Sequence, residues 1–455
     1  MPGSAIGPDR VRSAGPPCCP PARPAAPPRR HRVEARAASR HKCRMTGESA
    51  QRGNVLLEAG QRFGFSPGAL ARLFAPGFHK LLDRIDAGLE SGAILAHLPD
   101  GNTRRLGGRA PGFEAEVQIR DWRALLRLAT GGSVGWYQAW EAGEWTSADP
   151  VSLFAVFSAN GVSLGETGRS RGPWRLASRA MHWLNRNTRV QAERNIHAHY
   201  DLGNDFYGAW LDPTMSYSSA YRWGADGLES AQRRKWNRLA ERVGQPQSLL
   251  EIGCGWGALA GYFAGKGSSV TAISLSDEQL DWARRHHPQV QFLKQDYRDT
   301  AGQFDAIVSV EMVEALGREY WPAFMQCIAR NLKPGGRAAI QFIAMQSELF
   351  EGYARNADFI QAYVFPGGLL IEAGEFRALA EAQGLEWRDQ EDFGLDYAET
   401  LKAWRAHFDA AVAQGRLPAG FDRRFCDLWR FYLMYCEGGF RGGGITVSQV
   451  TLVKR

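Results

Sequence analysis

Nine consecutive residues, Leu249-Leu-Glu-Ile-Gly-Cys-Gly-Trp-Gly257, carry the clearest chemical signal in the chain. An apolar run ends in an acid-x-Gly-x-Gly-x-Gly series. That pattern predicts a buried strand turning sharply into a helix, with glycines where a ligand must approach the backbone. A glycine loop alone also serves nicotinamide enzymes and plain structural turns. The segments after it narrow the choice. Ser269–Leu275 reads as a second strand, and Gln295-Asp296-Tyr297 and a strand over Phe304–Val310 follow at βαβ spacing. The seven cysteines offer no competing chemistry. Cys18, Cys19 and Cys43 lie near the start, and the other four are scattered with neither metal-ligand spacing nor a disulfide pattern. No metal site is expected, and a reducing cytoplasm fits this usage.

The elements that must position this loop occupy a chain of 455 residues, long enough for two or three domains. The formal charge of +7 would ordinarily point to nucleic acid or an anionic membrane. Its distribution says otherwise. Residues 1–45 hold ten Lys/Arg and only Asp9 and Glu34; taking these from the totals of 55 and 48 leaves 45 basic against 46 acidic groups. The body is neutral, which argues against a nucleic-acid partner, whose affinity would rest on phosphate contacts. Residues 1–50 read as a disordered basic tail, rich in Pro, Ala and Arg and lacking the apolar core of a secretory signal. An organellar presequence is a second reading, and a start codon placed upstream of a true first residue at Met45 is the one favoured. No run of eighteen apolar residues predicts a membrane span.

Residues 54–165 form the expected N-terminal domain, with strands at Ala93–Leu98 and Ala115–Ile119 and a turn at Pro99–Asn102. A Gly- and Trp-rich stretch, Gly131–Trp145, follows. Residues 166–195 read as a linker carrying a helix from Trp174 to about Arg189. Trp174, Ala177, Met181 and Leu184 share one face of it, with Arg175, Arg179, Arg186 and Arg189 elsewhere around it. Such a basic amphipathic helix can lie in a membrane interface. An ordinary packed helix between two domains has the same pattern.

In its order of elements, the region from residue 196 to 455 resembles the S-adenosylmethionine (SAM) methyltransferase core. Further blocks make the resemblance specific: His199-Tyr-Asp-Leu-Gly-Asn-Asp-Phe-Tyr207, Leu211–Tyr221, Gln295–Asp299, Asn331-Leu-Lys-Pro-Gly-Gly336, Tyr363-Val-Phe-Pro-Gly-Gly368, Phe393-Gly-Leu-Asp-Tyr397 and Cys436-Glu-Gly-Gly-Phe-Arg441. Together they are similar to the cyclopropane-fatty-acyl-phospholipid synthase family, from about Gly131 to the C-terminus. The resemblance implies a seven-stranded α/β (class I, Rossmann-like) SAM methyltransferase domain behind a smaller α+β N-terminal domain that serves lipid docking or dimerisation. It implies methyl transfer from SAM to a cis double bond in phospholipid acyl chains, forming cyclopropane fatty acids. An alkene is a weak nucleophile, and its attack leaves a carbocation that water would quench. A deep, apolar, aromatic site is therefore expected, and the 15 Trp, 13 Tyr and 23 Phe can supply its walls.

For SAM, the resemblance implies Tyr217 and Ser218, the glycines Gly253, Gly255 and Gly257, then Ser274, Leu275 and Gln279, with Asp296 and Tyr297 toward the adenine. Gln279 is the candidate for the ribose hydroxyls. Asp277 or Glu278 could substitute, but their position suits a helix N-terminus. Ring-forming members hold a bicarbonate base through a Cys, a Glu, a His and a Tyr. The matching positions here are Ser219, Glu314, Gln341 and Tyr397, so two of the four have changed. A family glycine has become Glu311, and a second His has become Ala315. Ser219 could still offer its backbone N–H, and Gln341 can donate one hydrogen bond without carrying charge. The expectation is that Glu311 or Glu314 replaces bicarbonate as the base; the alternative has Glu311 pointing outward or binding the SAM amino group. Cys436 matches a candidate family cysteine and reads more readily as a buried helix residue.

The fate of the cation decides the product. Loss of a proton from the added methyl closes a ring; a prior hydride shift gives a methylene branch, which a partner reductase could saturate. The altered pattern resembles a side branch whose members add methyl without closing the ring. A small-molecule methyltransferase and a catalytically dead lipid-binding protein are the competing classes. A peripheral protein of the cytoplasmic face of the inner membrane is expected, with a homodimer as its suggested assembly.

Overall fold

The computed structural model describes residues 52–61, 75–165, 167 and 202–455. The basic tail, the Trp174–Arg189 helix and His199–Asp201 lie outside the described residues, as does the linker apart from residue 167. All the described residues belong to one unit.

A seven-stranded sheet organises the C-terminal part: β5 (Ser248–Ile252), β6 (Ser269–Ser274), β7 (Gln291–Lys294), β8 (Phe304–Val310), β9 (Leu332–Met345), β10 (Leu385–Asp392) and β11 (Ile445–Lys454). The order is β10-β11-β9-β8-β5-β6-β7. All neighbours are parallel except β11, which runs antiparallel to both β9 and β10. This is the class I SAM methyltransferase architecture. Strand β5 is central and covered on both faces, which is why Leu249–Ile252 is buried throughout and reads as a continuous apolar run. It feeds through the glycine turn into the helix Ala258–Gly265.

The N-terminal sheet has four strands in the order β2-β1-β3-β4. Strands β1 (Ala93–His97) and β2 (Thr103–Gly107) form a hairpin across the expected turn, and β3 (Glu114–Ile119) lies parallel to β1. Burial alternates residue by residue along β3, so one face meets the core and the other meets water. Its partner β4 is the short Trp145–Thr146. Most of the Gly- and Trp-rich stretch is helical, as part of Arg123–Glu141, and Gly132 at φ 59°, ψ −137° breaks that helix.

No seam divides the two sheets. The helix Pro150–Ala159 lies directly on the helix Arg423–Arg441, an approach that only glycine permits. A Cβ at Gly438 would come within 2.4 Å of the Phe154 Cβ. Tyr137 and Phe154 place their rings 5.0 and 5.2 Å from Phe431, inside one shared hydrophobic core.

Candidate active site

Two cavities meet beside the end of β8. The first, about 190 Å³, is lined by all ten residues expected to hold SAM: Tyr217, Ser218, Gly253, Gly255, Gly257, Ser274, Leu275, Gln279, Asp296 and Tyr297. Gly255 has φ +51°, and a Cβ there would meet nothing within 4 Å. Gly257 has φ +84°, and a Cβ would lie 2.7 Å from the Phe292 ring and 2.9 Å from Ala283. The first glycine thus keeps the cavity floor open, while the second lets helix and sheet close up.

At the end of β6, the Ser274 hydroxyl donates to the Gln279 side chain at 3.3 Å. Ser276 caps the helix Asp277–His286 and puts Asp277 and Glu278 in its first turn, away from the cavity lining. The Asp296 carboxylate accepts from Arg298. Tyr297 is buried and its hydroxyl has no partner; burial pushes the phenol up.

Two groups in this cavity were missing from the sequence-based set. Lys235 is entirely buried, and its ammonium donates to the Ser218 hydroxyl at 2.6 Å. Burial pushes it down to about 8. Glu251, at the base of the glycine turn, is pushed up to about 8 by burial. Lys235 stands in a charged helix, Gly227–Val243, where it shares the buried stripe of Leu228, Ala231, Leu239 and Arg242 at helical spacing, a signal that could have found it.

The second cavity, about 490 Å³, is long and mainly apolar. Glu314, Tyr397 and Cys436 line it, and Tyr217, Glu311 and Ala315 belong to both cavities. Much of its wall comes from the N-terminal part, through Ile85, Leu128, Trp136, Phe154, Phe157 and Leu164, a contribution the sequence did not announce. Cys436 sits in the helix Arg423–Arg441, and burial pushes its thiol far up, leaving it a poor nucleophile.

Glu311 is the focus of the junction. Its Oε1 accepts from the Ser219 backbone N–H at 2.9 Å and from Gln341 Nε2 at 2.7 Å. Its Oε2 accepts from the Tyr397 hydroxyl at 2.7 Å. Ser219 and Gln341 are fully buried behind it and face neither cavity. Three of the four positions that match bicarbonate ligands therefore converge on a carboxylate of the chain itself. A bicarbonate ion does not fit this set, because its donors and its negative charge are already provided for. Glu311 does not point outward.

Glu311 also has φ +48°, in the left-handed region. Glycine, which the resemblance implies at this position, adopts that backbone freely. A glutamate there carries strain on the order of 1–3 kcal/mol, offset here by its three hydrogen bonds.

Glu314 is placed differently. One oxygen accepts from the Ile343 N–H and the other has no partner. Burial, reinforced by the nearby Glu311, pushes it up to about 8, so it is largely neutral at pH 7. Burial also raises Glu311, but Lys235, Tyr397, Gln341 and Ser219 all favour its ionised form. Burial thus pushes both carboxyls up, but only Glu311 has a set of charge-stabilising partners to oppose it.

The family described as mycolic acid cyclopropane synthetase matches residues 187–450. The tuberculostearic acid methyltransferase of Mycobacterium tuberculosis is 36% identical over 360 residues, spanning 72% of this chain and 80% of that protein. The cyclopropane-fatty-acyl-phospholipid synthase of Escherichia coli K12 is 32% identical over 351 residues, 76% of this chain and 88% of that one. Among solved structures, a mycolic acid cyclopropane synthase complexed with SAH and CTAB superposes with a TM-score of 0.54 at 30% identity, covering 58% of this chain and 98% of its own.

Proposed function

Because the chain belongs to the mycolic acid cyclopropane synthetase family, whose members here include SAM-dependent lipid methyltransferases, we propose that it transfers the SAM methyl group to a cis double bond in phospholipid acyl chains, with Glu311 as the base. The single observation carrying this reading is the Glu311 carboxylate at the junction of the two cavities, held by Ser219, Gln341 and Tyr397. SAM occupies the smaller cavity and the acyl chain the larger. The alkene π electrons form the new C–C bond as the S–CH3 bond breaks, leaving S-adenosylhomocysteine and a secondary carbocation. The apolar second cavity keeps water from that cation.

In both candidate outcomes the proton finally lost comes from the added methyl, so one base at the junction serves either. What differs is timing. Immediate loss closes a cyclopropane. If a hydride first migrates from the methylated carbon, the cation becomes tertiary, and loss of the methyl proton then gives a methylene branch. The 36% identity to a tuberculostearic acid methyltransferase favours the hydride shift. We therefore assign the methylene-branched acyl chain as product, which a separate reductase would saturate. The substrate's location makes the protein a peripheral visitor to the membrane surface.

Lipid analysis of a bacterial host lacking its own synthase, expressing the chain from Met45, tests this assignment. Fatty acids one CH2 heavier than their unsaturated precursors, cleaved by ozone, are expected. A heavier product that survives ozone would make ring closure the outcome, and no heavier product would remove the lipid substrate.

A further inference from the structure

Behind Glu311 a line of buried polar side chains crosses three adjacent strands. Glu311 follows β8, Gln341 lies on β9, and Gln449 is its cross-strand partner on β11. Gln449 Nε2 donates to Gln341 Oε1 at 2.9 Å, and Arg242 Nε donates to Gln449 Oε1 at 3.1 Å. Gln341 and Gln449 are 0% exposed and Arg242 is 4% exposed. Arg242 is anchored in turn by the Asp389 carbonyl at 2.7 Å, the Thr451 hydroxyl at 3.2 Å and Glu391 at 3.3 Å.

The two ends of a primary amide have nearly the same size and shape, so packing alone does not choose between them. A guanidinium has no acceptor and keeps its charge throughout the working pH range. Placed at one end of the line, it obliges Gln449 to turn its oxygen toward it and its N–H toward Gln341. Gln341 must then turn its own N–H toward Glu311. We propose that Arg242 and Gln449 are positioning residues for the reaction, fixing the donor direction of two buried amides so that Gln341 always presents an N–H to the catalytic carboxylate. The reverse orientation would set the Gln341 oxygen against Glu311 and hold its negative charge off. This inference rests on reading Glu311 as the base. The other groups facing Glu311 are Lys235 from the helix Gly227–Val243, Glu314, and Tyr397 from the helix Gly394–Ala413; Tyr217 and Cys436 stand next to Tyr397. None of these is changed in the variants below.

Gln449→Glu is the discriminating substitution. A carboxylate still satisfies Arg242 but can only accept from Gln341, which must therefore turn its N–H away from Glu311. At pH 7, kcat should fall by about tenfold or more, and the acid limb of the pH–rate profile should move up by about one unit. SAM affinity, measured by titration calorimetry, should stay at the wild-type value. Gln449→Met, which removes the directing contact without reversing it, should shift the limb less. Arg242→Gln, which replaces a pure donor by an amide that can turn, should shift it upward as well, and covers the case in which the Glu variant does not fold. A wild-type kcat and acid limb in Gln449→Glu would overturn the proposal. If Glu311→Gln is inactive while Gln449→Glu is unchanged, only the positioning role falls. If Glu311→Gln is active, the base assignment and the purpose of the line fall together.

Discussion

Two glutamates three residues apart divide the chemistry between them through their surroundings. Glu311 has three hydrogen-bond donors and the nearby Lys235; Glu314 has one donor, an unpartnered oxygen and a like charge beside it. Removing the charge of Glu311 while keeping its shape isolates its role. Glu311→Gln should lower kcat by roughly 10²–10⁴-fold and leave SAM binding within about twofold, as read by single-turnover lipid methylation and calorimetry. Glu314 governs stability instead. Its folded-state value of about 8 lies above the ordinary 4.5. The free energy its protonated form contributes is therefore present in full below the unfolded-state value and is lost as pH rises through about 8. Melting temperature should fall between about pH 5 and 8 and level off above, and Glu314→Gln should flatten that fall. An unchanged slope in the variant would assign the loss to another group, Glu251 being the next candidate.

Among the elements, the glycine turn after β5 separates ligand contact from packing. Gly255→Ala would project a methyl into open cavity, so it should weaken SAM binding severalfold with a modest cost in melting temperature. Gly257→Ala would collide with Phe292 and Ala283, so it should destabilise the fold by about 1–3 kcal/mol, read by denaturant unfolding. This turn and its neighbouring strands were legible from residues alone, because a buried central strand leaves an apolar run and a tight turn leaves glycines. The ten residues that the resemblance implied for SAM also line one cavity, though only the glycines among them follow from the turn itself. The orientation of Glu311 was not legible. It depends on the register of β8, β9 and β11, which brings Gln341 and Gln449 together from positions 108 residues apart, and local pattern carries no trace of that. Lys235 was missed although it stands between Ala231 and Leu239 at helical spacing, on the face of its helix that turns inward.

At the scale of the whole molecule, the larger cavity belongs to both parts of the chain. The N-terminal segment supplies Leu128, Trp136 and Phe154 to its wall, and the C-terminal part supplies Glu314, Tyr397 and Tyr432. Sequence divided the chain at composition changes and so could not show a cavity built across that division. Leu128→Phe adds bulk far from the SAM cavity; it should shift the methylated products toward shorter acyl chains while SAM affinity is unchanged, as checked by competition between phospholipids of different chain length. Among the described residues no helix is long and apolar enough to cross a membrane.

The proposed mechanism turns on a carboxylate of the chain, Glu311, standing where the family resemblance implies a bicarbonate ion. The direct measurement is the initial rate of lipid methylation by the unaltered protein in buffer stripped of carbon dioxide, with and without added bicarbonate. A rate that is unchanged by stripping and by bicarbonate is expected from Glu311 as the base. A rate that collapses on stripping and returns with bicarbonate would contradict it.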